Sequence, residues 1–243
     1  MYVAIEDLTK TIHGRTVLEH VNLRMEQGTV YGLRGPNGCG KTMLMRSICG
    51  LIRPTSGSVE INGERLGREI SFPRSVGALI ENPAFINNYT GLRNLQLLAS
   101  IQNKVDEEEI RQAITRVGLD PDDKRKYKKY SLGMKQRLGI AAAIMEHPDL
   151  LVLDEPINAL DEDGVRLVRD ILHQEKGRGA LILVACHDKE ELEFLADEIY
   201  VMGEGKILRG FRVGEDPNED EEPEGRDKQD KQAPAPQREK EGD

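Results

Sequence analysis

The sequence predicts an α/β fold with a mainly parallel core sheet, an antiparallel β subdomain on its N-terminal side and an inserted helical subdomain. Three observations carry that expectation. The segment Gly35-Pro36-Asn37-Gly38-Cys39-Gly40-Lys41-Thr42 lies between a short β-branched and aromatic run, Thr29 to Leu33, and a helical stretch, Met43 to Cys49. Two continuous apolar runs, Leu150 to Leu153 and Ala180 to Ala185, suit parallel strands covered on both faces. Between loop and runs, residues 83–143 read as helices, with Ile110, Ile114 and Val117 at four- and three-residue spacing.

In chain order, Tyr2 to Leu8 and Val17 to Met25 alternate apolar and polar positions and are separated by His13-Gly14-Arg15, which predicts antiparallel strands. The loop that follows fits G-x-x-x-x-G-K-[ST]. Small residues let successive backbone N–H groups close on a phosphate, Lys41 neutralises its charge, and the Thr42 hydroxyl ligates Mg²⁺. The positive end of the next helix faces the same point. Ser58 to Ile61 then reads as a strand and Asn62-Gly63 as a hairpin turn, so the antiparallel part resumes after the loop. Val76 to Ile80 is a further short strand ending at Glu81-Asn82-Pro83.

The run Leu150 to Leu153 ends in Asp154-Glu155-Pro156, two carboxylates at a strand's C-terminal edge, where doubly wound sheets bind their ligands. There Asp154 can hold Mg²⁺ while Glu155 polarises water. The second run ends at Cys186-His187 and brings an imidazole to the same edge, facing phosphate. Ser131 caps the helix that follows it, and with Gly133 two residues on this helix start can receive an anion.

Composition sets the bounds. With 243 residues, of which 38% are hydrophobic, the chain can bury one α/β core over residues 1–213 with one nucleotide site. Residues 214–243 hold twelve acidic against five basic side chains, so −7 of the formal −9 falls there. That acidic segment, rich in Glu, Asp, Pro and Gln, is expected to be disordered. The remaining body is nearly balanced and offers no field for nucleic acid; the basic run Lys124 to Lys129 is read as a solvated loop. Cys39, Cys49 and Cys186 form no C-x-x-C pair, which favours a reducing, cytosolic setting. No basic-then-apolar leader opens the chain and no apolar run approaches a membrane span, so the chain is not expected to cross a membrane itself.

Taken together, the segment Tyr130-Ser131-Leu132-Gly133-Met134-Lys135-Gln136-Arg137 between the helices and the carboxylate strand resembles the signature of ATP-binding-cassette (ABC) ATPases. The resemblance spans about Val3 to Gly210. Gly35 to Thr42 then looks like Walker A, Leu150 to Glu155 like Walker B, Asn158 to Asp161 like the D-loop, and His187 like the switch histidine. It implies a phosphate-loop NTPase fold, ATP and Mg²⁺ as ligands, and hydrolysis at a dimer. In that dimer Ser131 and Gly133 contact the nucleotide of a second cassette, either an identical chain or a paralogue. Asp161, counted with the nucleotide-binding residues, lies at the interface, a role compatible with its capping the helix that begins near Glu162. Leu132 and Met134 in the signature, and Glu81 where the family usually has glutamine, are similar to the cassettes of bacitracin and lantibiotic export or immunity systems. Where relatives carry an adenine-stacking aromatic, this chain has Ile12 and His13, leaving His13 as the candidate.

The resemblance further implies a membrane-peripheral ATPase on the cytoplasmic face that drives a separate transmembrane permease, with Asn87 to Leu98 nearest that partner. Glu81 is read as a Mg²⁺-proximal sensor of the γ-phosphate; sharing or replacing the base role of Glu155, or standing as a solvated acid at a strand end, are its alternatives. A non-transport ABC ATPase acting on a ribosome or DNA is the rival function, but this sequence shows neither the doubled cassette nor the long coiled-coil insertion those members carry.

Overall fold

A computed structural model describes residues 2–215, so the acidic segment expected over 214–243 lies, from residue 216 onward, outside the described residues. The chain runs β1 (Val3–Ile12), β2 (Arg15–Met25), β3 (Val30–Arg34), α1 (Lys41–Ile48), β4 (Ser56–Ile61), β5 (Glu64–Arg65) and β6 (Val76–Leu79). Then come α2 (Gly91–Gln102), α3 (Glu107–Arg116), a single 3₁₀ turn (Tyr127–Lys129) and α4 (Leu132–Ile144). The chain continues through β7 (Leu150–Asp154), α5 (Glu162–Gly177), β8 (Leu181–Ala185), α6 (Lys189–Leu195), β9 (Glu198–Gly203) and β10 (Lys206–Arg212).

Among the described residues the strands form two sheets. The first, in the order β2-β1-β4-β5, is antiparallel throughout and joins the segments before and after the loop, as the alternating pattern predicted. The second has the order β10-β9-β3-β8-β7-β6 and is parallel except for the terminal β10–β9 pair. β3 pairs with both β8 and β9, so the chain crosses over between strands distant in sequence, and the helices that make those crossovers cover the sheet.

The apolar runs are explained by what lies on either face. Along β7, Leu150 and Val152 join a core with β1, β2, β4 and α1, while Leu151 and Leu153 join a core with α3, α4 and α5. β8 divides the same way, Leu181 and Leu183 to the first core, Ile182 and Val184 to the second. A two-residue side-chain period meeting apolar cover on both faces gives a continuous apolar sequence.

The helix expected from Met43 begins at Lys41. Gly40 sits at φ 112°, a left-handed conformation that glycine adopts freely, and Lys41 and Thr42 therefore occupy the first turn of α1. The helical insertion is held by three caps and one aromatic cluster. Thr90 accepts from the Arg93 N–H, Asp106 and Glu109 make a reciprocal capping box, and Ser131 accepts from the Met134 N–H. Tyr127 packs edge-on to Phe85 and beside Tyr130, and its hydroxyl donates to the Pro83 carbonyl at 2.6 Å. Among the described residues no helix is long and apolar enough to cross a membrane, and all three cysteines are buried and free.

Candidate functional site

Three parallel strands end at one place. β3 runs into Gly35 to Gly40, β7 into Glu155, and the adjacent β8, paired Asp154 to Ala185, into Cys186 and His187. A cavity of about 400 Å³ opens there, lined by Asn37, Gly38, Gly40, Lys41, Thr42, Asp154 and Glu155, with Glu81, Gln136 and Asn158 around its rim. Sequence separations above a hundred residues are closed by strand pairing alone.

The loop is compact because its glycines permit it. A Cβ at Gly35 would stand 2.3 Å from the Met202 carbonyl oxygen, so no other residue fits between loop and β9. Cys39 packs beneath the loop, where burial pushes its thiol pKa up. No side chain caps α1, which leaves its first-turn N–H groups facing the cavity without a side-chain acceptor. Lys41 folds back over the loop, donating from Nζ to the carbonyls of Gly35 at 2.6 Å and Pro36 at 3.2 Å. A cation and a helix N-terminus thus converge, an arrangement that can bind phosphate.

Opposite lie the carboxylates. The Thr42 hydroxyl donates to Asp154 Oδ2 at 2.6 Å, and Asp154 is buried. That burial pushes its carboxyl upward, the bond from Thr42 works against the shift, and the charge of Glu155 adds to it. A buried carboxylate and a hydroxyl, both hard oxygens and both on the cavity wall, fit Mg²⁺, which would lower the charge on Asp154 and on bound phosphates. Glu155 adopts φ 51°, a left-handed conformation uncommon outside glycine, with its N–H donating to the Ala185 carbonyl. Its carbonyl accepts from the Gln136 side chain at 2.8 Å, and its Oε2 lies 2.9 Å from His187 Nδ1. The two contacts hold Glu155 on the cavity wall, one by its backbone and one by its carboxylate.

The carboxylate of Glu155, by hydrogen bond and then by charge, raises the His187 imidazole above its ordinary pKa. Because the folded-state pKa is raised, the stabilisation from the charged pair is fully present below the free imidazole value and is lost as pH rises through the folded one. An NMR titration is expected to give His187 a pKa above 6.5, and Glu155→Gln is expected to bring it back down. An unmoved His187 resonance would break the pairing.

Glu81 lines the cavity at φ 62°, largely exposed, and its Oε1 accepts from Arg46 of α1 at 2.6 Å. The remaining expected residues stand away from the cavity wall. Ser131 is exposed and Gly133 half-exposed at the start of α4, on this chain's surface. Asp161 caps α5, accepting from the Gly164 N–H at 2.9 Å and from Arg137 at 3.0 Å, contacts that lower its pKa. His13 is exposed in the β1–β2 turn, and from this part of the chain it is Val17 that lines the cavity.

Arg46 and Gln136 were not anticipated. Arg46 lies four residues after Thr42, on the same face of α1, so helical periodicity could have placed it near the cavity. Gln136 is a buried polar residue in α4, flanked by Lys135 and Arg137, so its local pattern carried no signal of the role.

Comparison with known proteins identifies the family. The family model described as ABC transporter matches residues 18–158. The chain is 49% identical over 211 residues to a Bacillus subtilis protein named as an uncharacterized ABC transporter ATP-binding protein, YybJ, covering 87% of this chain and 97% of the relative. It is 41% identical over 215 residues to the bacitracin transport ATP-binding protein BcrA of Enterococcus faecalis, covering 88% of this chain and 70% of the relative. Identity to the lantibiotic transport ATP-binding protein SrtF of Streptococcus pyogenes is 40% over 204 residues, 84% and 88% of the two chains. A solved ATP-binding subunit of an ABC transporter superposes with a TM-score of 0.80 at 26% identity over 88% of this chain and 91% of that one. The dimeric cassette MJ0796 bound to ADP and Pi shares the fold, with a TM-score of 0.76 at 22% identity over 87% of this chain and 98% of that one.

Proposed function

The chain belongs to the ABC transporter family as an ATP-binding subunit and ATPase, and from that premise we propose that two cassettes close on ATP to drive a separate membrane permease exporting antibiotic peptides or similar drugs. The observation that carries the reading is the convergence of Lys41, the Thr42–Asp154 pair and Glu155 on one cavity, with His187 hydrogen-bonded to Glu155 just beyond its wall. Lys41 holds the β- and γ-phosphates. Thr42 and Asp154 hold Mg²⁺, Glu155 is the base that orients water, and His187 contacts the γ-phosphate; together they lower the barrier by positioned charge.

Ser131 and Gly133 are exposed at an N-capped helix start, so they are free to receive the phosphates of a second chain's nucleotide. Asp161, bridged to α4 through Arg137, joins that surface to the base's own loop. The catalytic unit is residues 1–213, with the helical subdomain at 83–143 and the acidic segment 214–243 outside the chemistry. The export assignment rests on the two relatives named for bacitracin and lantibiotic transport. Purification from native membranes is expected to bring one polytopic membrane subunit along with this chain; a ribosomal or DNA-bound partner instead would favour the non-transport reading.

Glu81 is the sensor in this scheme. Its bond to Arg46 joins two partly exposed side chains and is worth only about 0.2–1 kcal/mol, little enough for a γ-phosphate to displace the carboxylate by repulsion. Movement there has a route outward, since Pro83 two residues on is held by Tyr127, which precedes Tyr130 and the signature. Glu81→Gln is expected to keep measurable ATPase in the isolated protein while impairing transport in the complex. The two rates compared side by side decide it: a loss as complete as that of Glu155→Gln puts Glu81 in the chemistry.

A further inference from the structure

We propose that Glu155, Cys186 and His187 form an inhibitory zinc site at the carboxyl edge of the central sheet. A carboxylate oxygen, the Cys186 Sγ and a His187 ring nitrogen all lie within 4.8 Å of one another. The reason is local. β8 ends at Ala185, so Cys186 and His187 leave the strand's two-sided alternation and reach the same point, beside the residue that follows the adjacent β7.

The donor set selects the ion. Thiolate, imidazole and carboxylate together match Zn²⁺, with bonds of about 2.0–2.3 Å, whereas Mg²⁺ takes hard oxygens and a nearly rigid octahedron. Drawing the three atoms to tetrahedral spacing needs movement on the order of an ångström, which the exposed His187 side chain can supply. Cys186 is fully buried, yet its sulfur faces carboxylates, with Glu191 Oε2 3.7 Å away. Burial first, and then Glu155 and Glu191, push the thiol pKa up to about 12. The two carboxylates beside that sulfur, Glu155 and Glu191, supply the negative charge that attracts a dication to it. On binding, the S–H bond of Cys186 and, where His187 is charged, the N–H bond of its ligating nitrogen break, the protons pass to solvent, and sulfur–zinc and nitrogen–zinc bonds form with no change of oxidation state.

Zinc so held occupies the Glu155 carboxylate and the His187 imidazole together. Nucleotide can still sit on the phosphate loop, but the base and the γ-phosphate contact are withdrawn from turnover. The inhibition rests on the catalytic roles given above to Glu155 and His187; the binding does not.

The test uses the full-length protein and two readouts. Titration with Co²⁺, a spectroscopic stand-in for zinc, is expected to give a thiolate-to-cobalt charge-transfer band in the near ultraviolet that saturates at one equivalent and is displaced by Zn²⁺. Cys186→Ser is expected to lose the band, while Cys39→Ser keeps it. In ATPase assays Zn²⁺ is expected to inhibit the parent, and Cys186→Ser to need at least about tenfold more Zn²⁺ for half-inhibition with unchanged zinc-free turnover. Absence of the band, its persistence in Cys186→Ser, or equal zinc inhibition of the two proteins overturns the proposal. A parent without ATPase activity that still shows the Cys186-dependent band would instead sink the functional reading and leave the metal site standing.

Discussion

Glu155→Gln is expected to lower ATP turnover by about 10²–10⁴-fold, the range a positioned general base contributes, while leaving ATP affinity close to the parent value. The amide keeps the length and shape of the side chain, so the Gln136 bond to the residue 155 carbonyl and the 155 N–H bond to Ala185 both survive, and the strained φ 51° backbone with them. What is lost is the capacity to take a proton from water. The variant is therefore expected to accumulate as an ATP-bound dimer, detectable by size exclusion with MgATP under conditions where the parent cycles through it. Parent-rate hydrolysis would remove Glu155 from the base role, and a variant that stays monomeric with ATP would break the two-cassette sandwich.

Lys41→Ala is expected to weaken ATP binding roughly a hundredfold, since a buried charge-assisted contact to phosphate is worth about 3 kcal/mol. The cost falls on binding because Lys41 sits in the loop that receives the phosphates before any reaction begins. Without nucleotide its ammonium is spent on the carbonyls of Gly35 and Pro36, two half-buried residues that water can reach in its absence. The melting temperature without nucleotide is thus expected to change little while the stabilisation conferred by MgATP disappears. An equilibrium binding measurement checks it, and an unchanged Kd would show that the helix dipole and backbone N–H groups alone carry the phosphate. The two substitutions are distinguishable, since one lowers affinity and the other lowers the rate at retained affinity.

Local chemistry made much of this protein legible before any coordinates. The order of motifs, the buried strands of the central sheet, the hairpin turns at His13-Gly14 and Asn62-Gly63, and the caps at Ser131 and Asp161 depend on nearest neighbours in the chain, and all of them were read from residue type and spacing. Boundaries were less legible. α1 starts two residues earlier than its apolar pattern suggested because Gly40, through φ rather than through any side chain, sets the first turn. β1 likewise runs to Ile12 rather than Leu8, since pairing with β2 continues past the last regular alternation.

What the sequence by itself determined is which groups are present and at which strand ends: a lysine and hydroxyl after one, two carboxylates after another, a thiol and an imidazole after a third. The tertiary structure alone decided who meets whom. The 2.6 Å contact of Thr42 with Asp154, the seating of Glu155 between Gln136 and His187, and the tie of Arg46 to Glu81 each join residues 19 to 112 positions apart. Such pairings follow from strand order and helix crossover, which are settled by the burial of both sheet faces at once and leave no periodic mark on the segments they bring together. The same cause keeps His13 off the cavity wall, where Val17 stands, because a residue's place beside a ligand depends on how β2 passes over the loop rather than on its own chemistry.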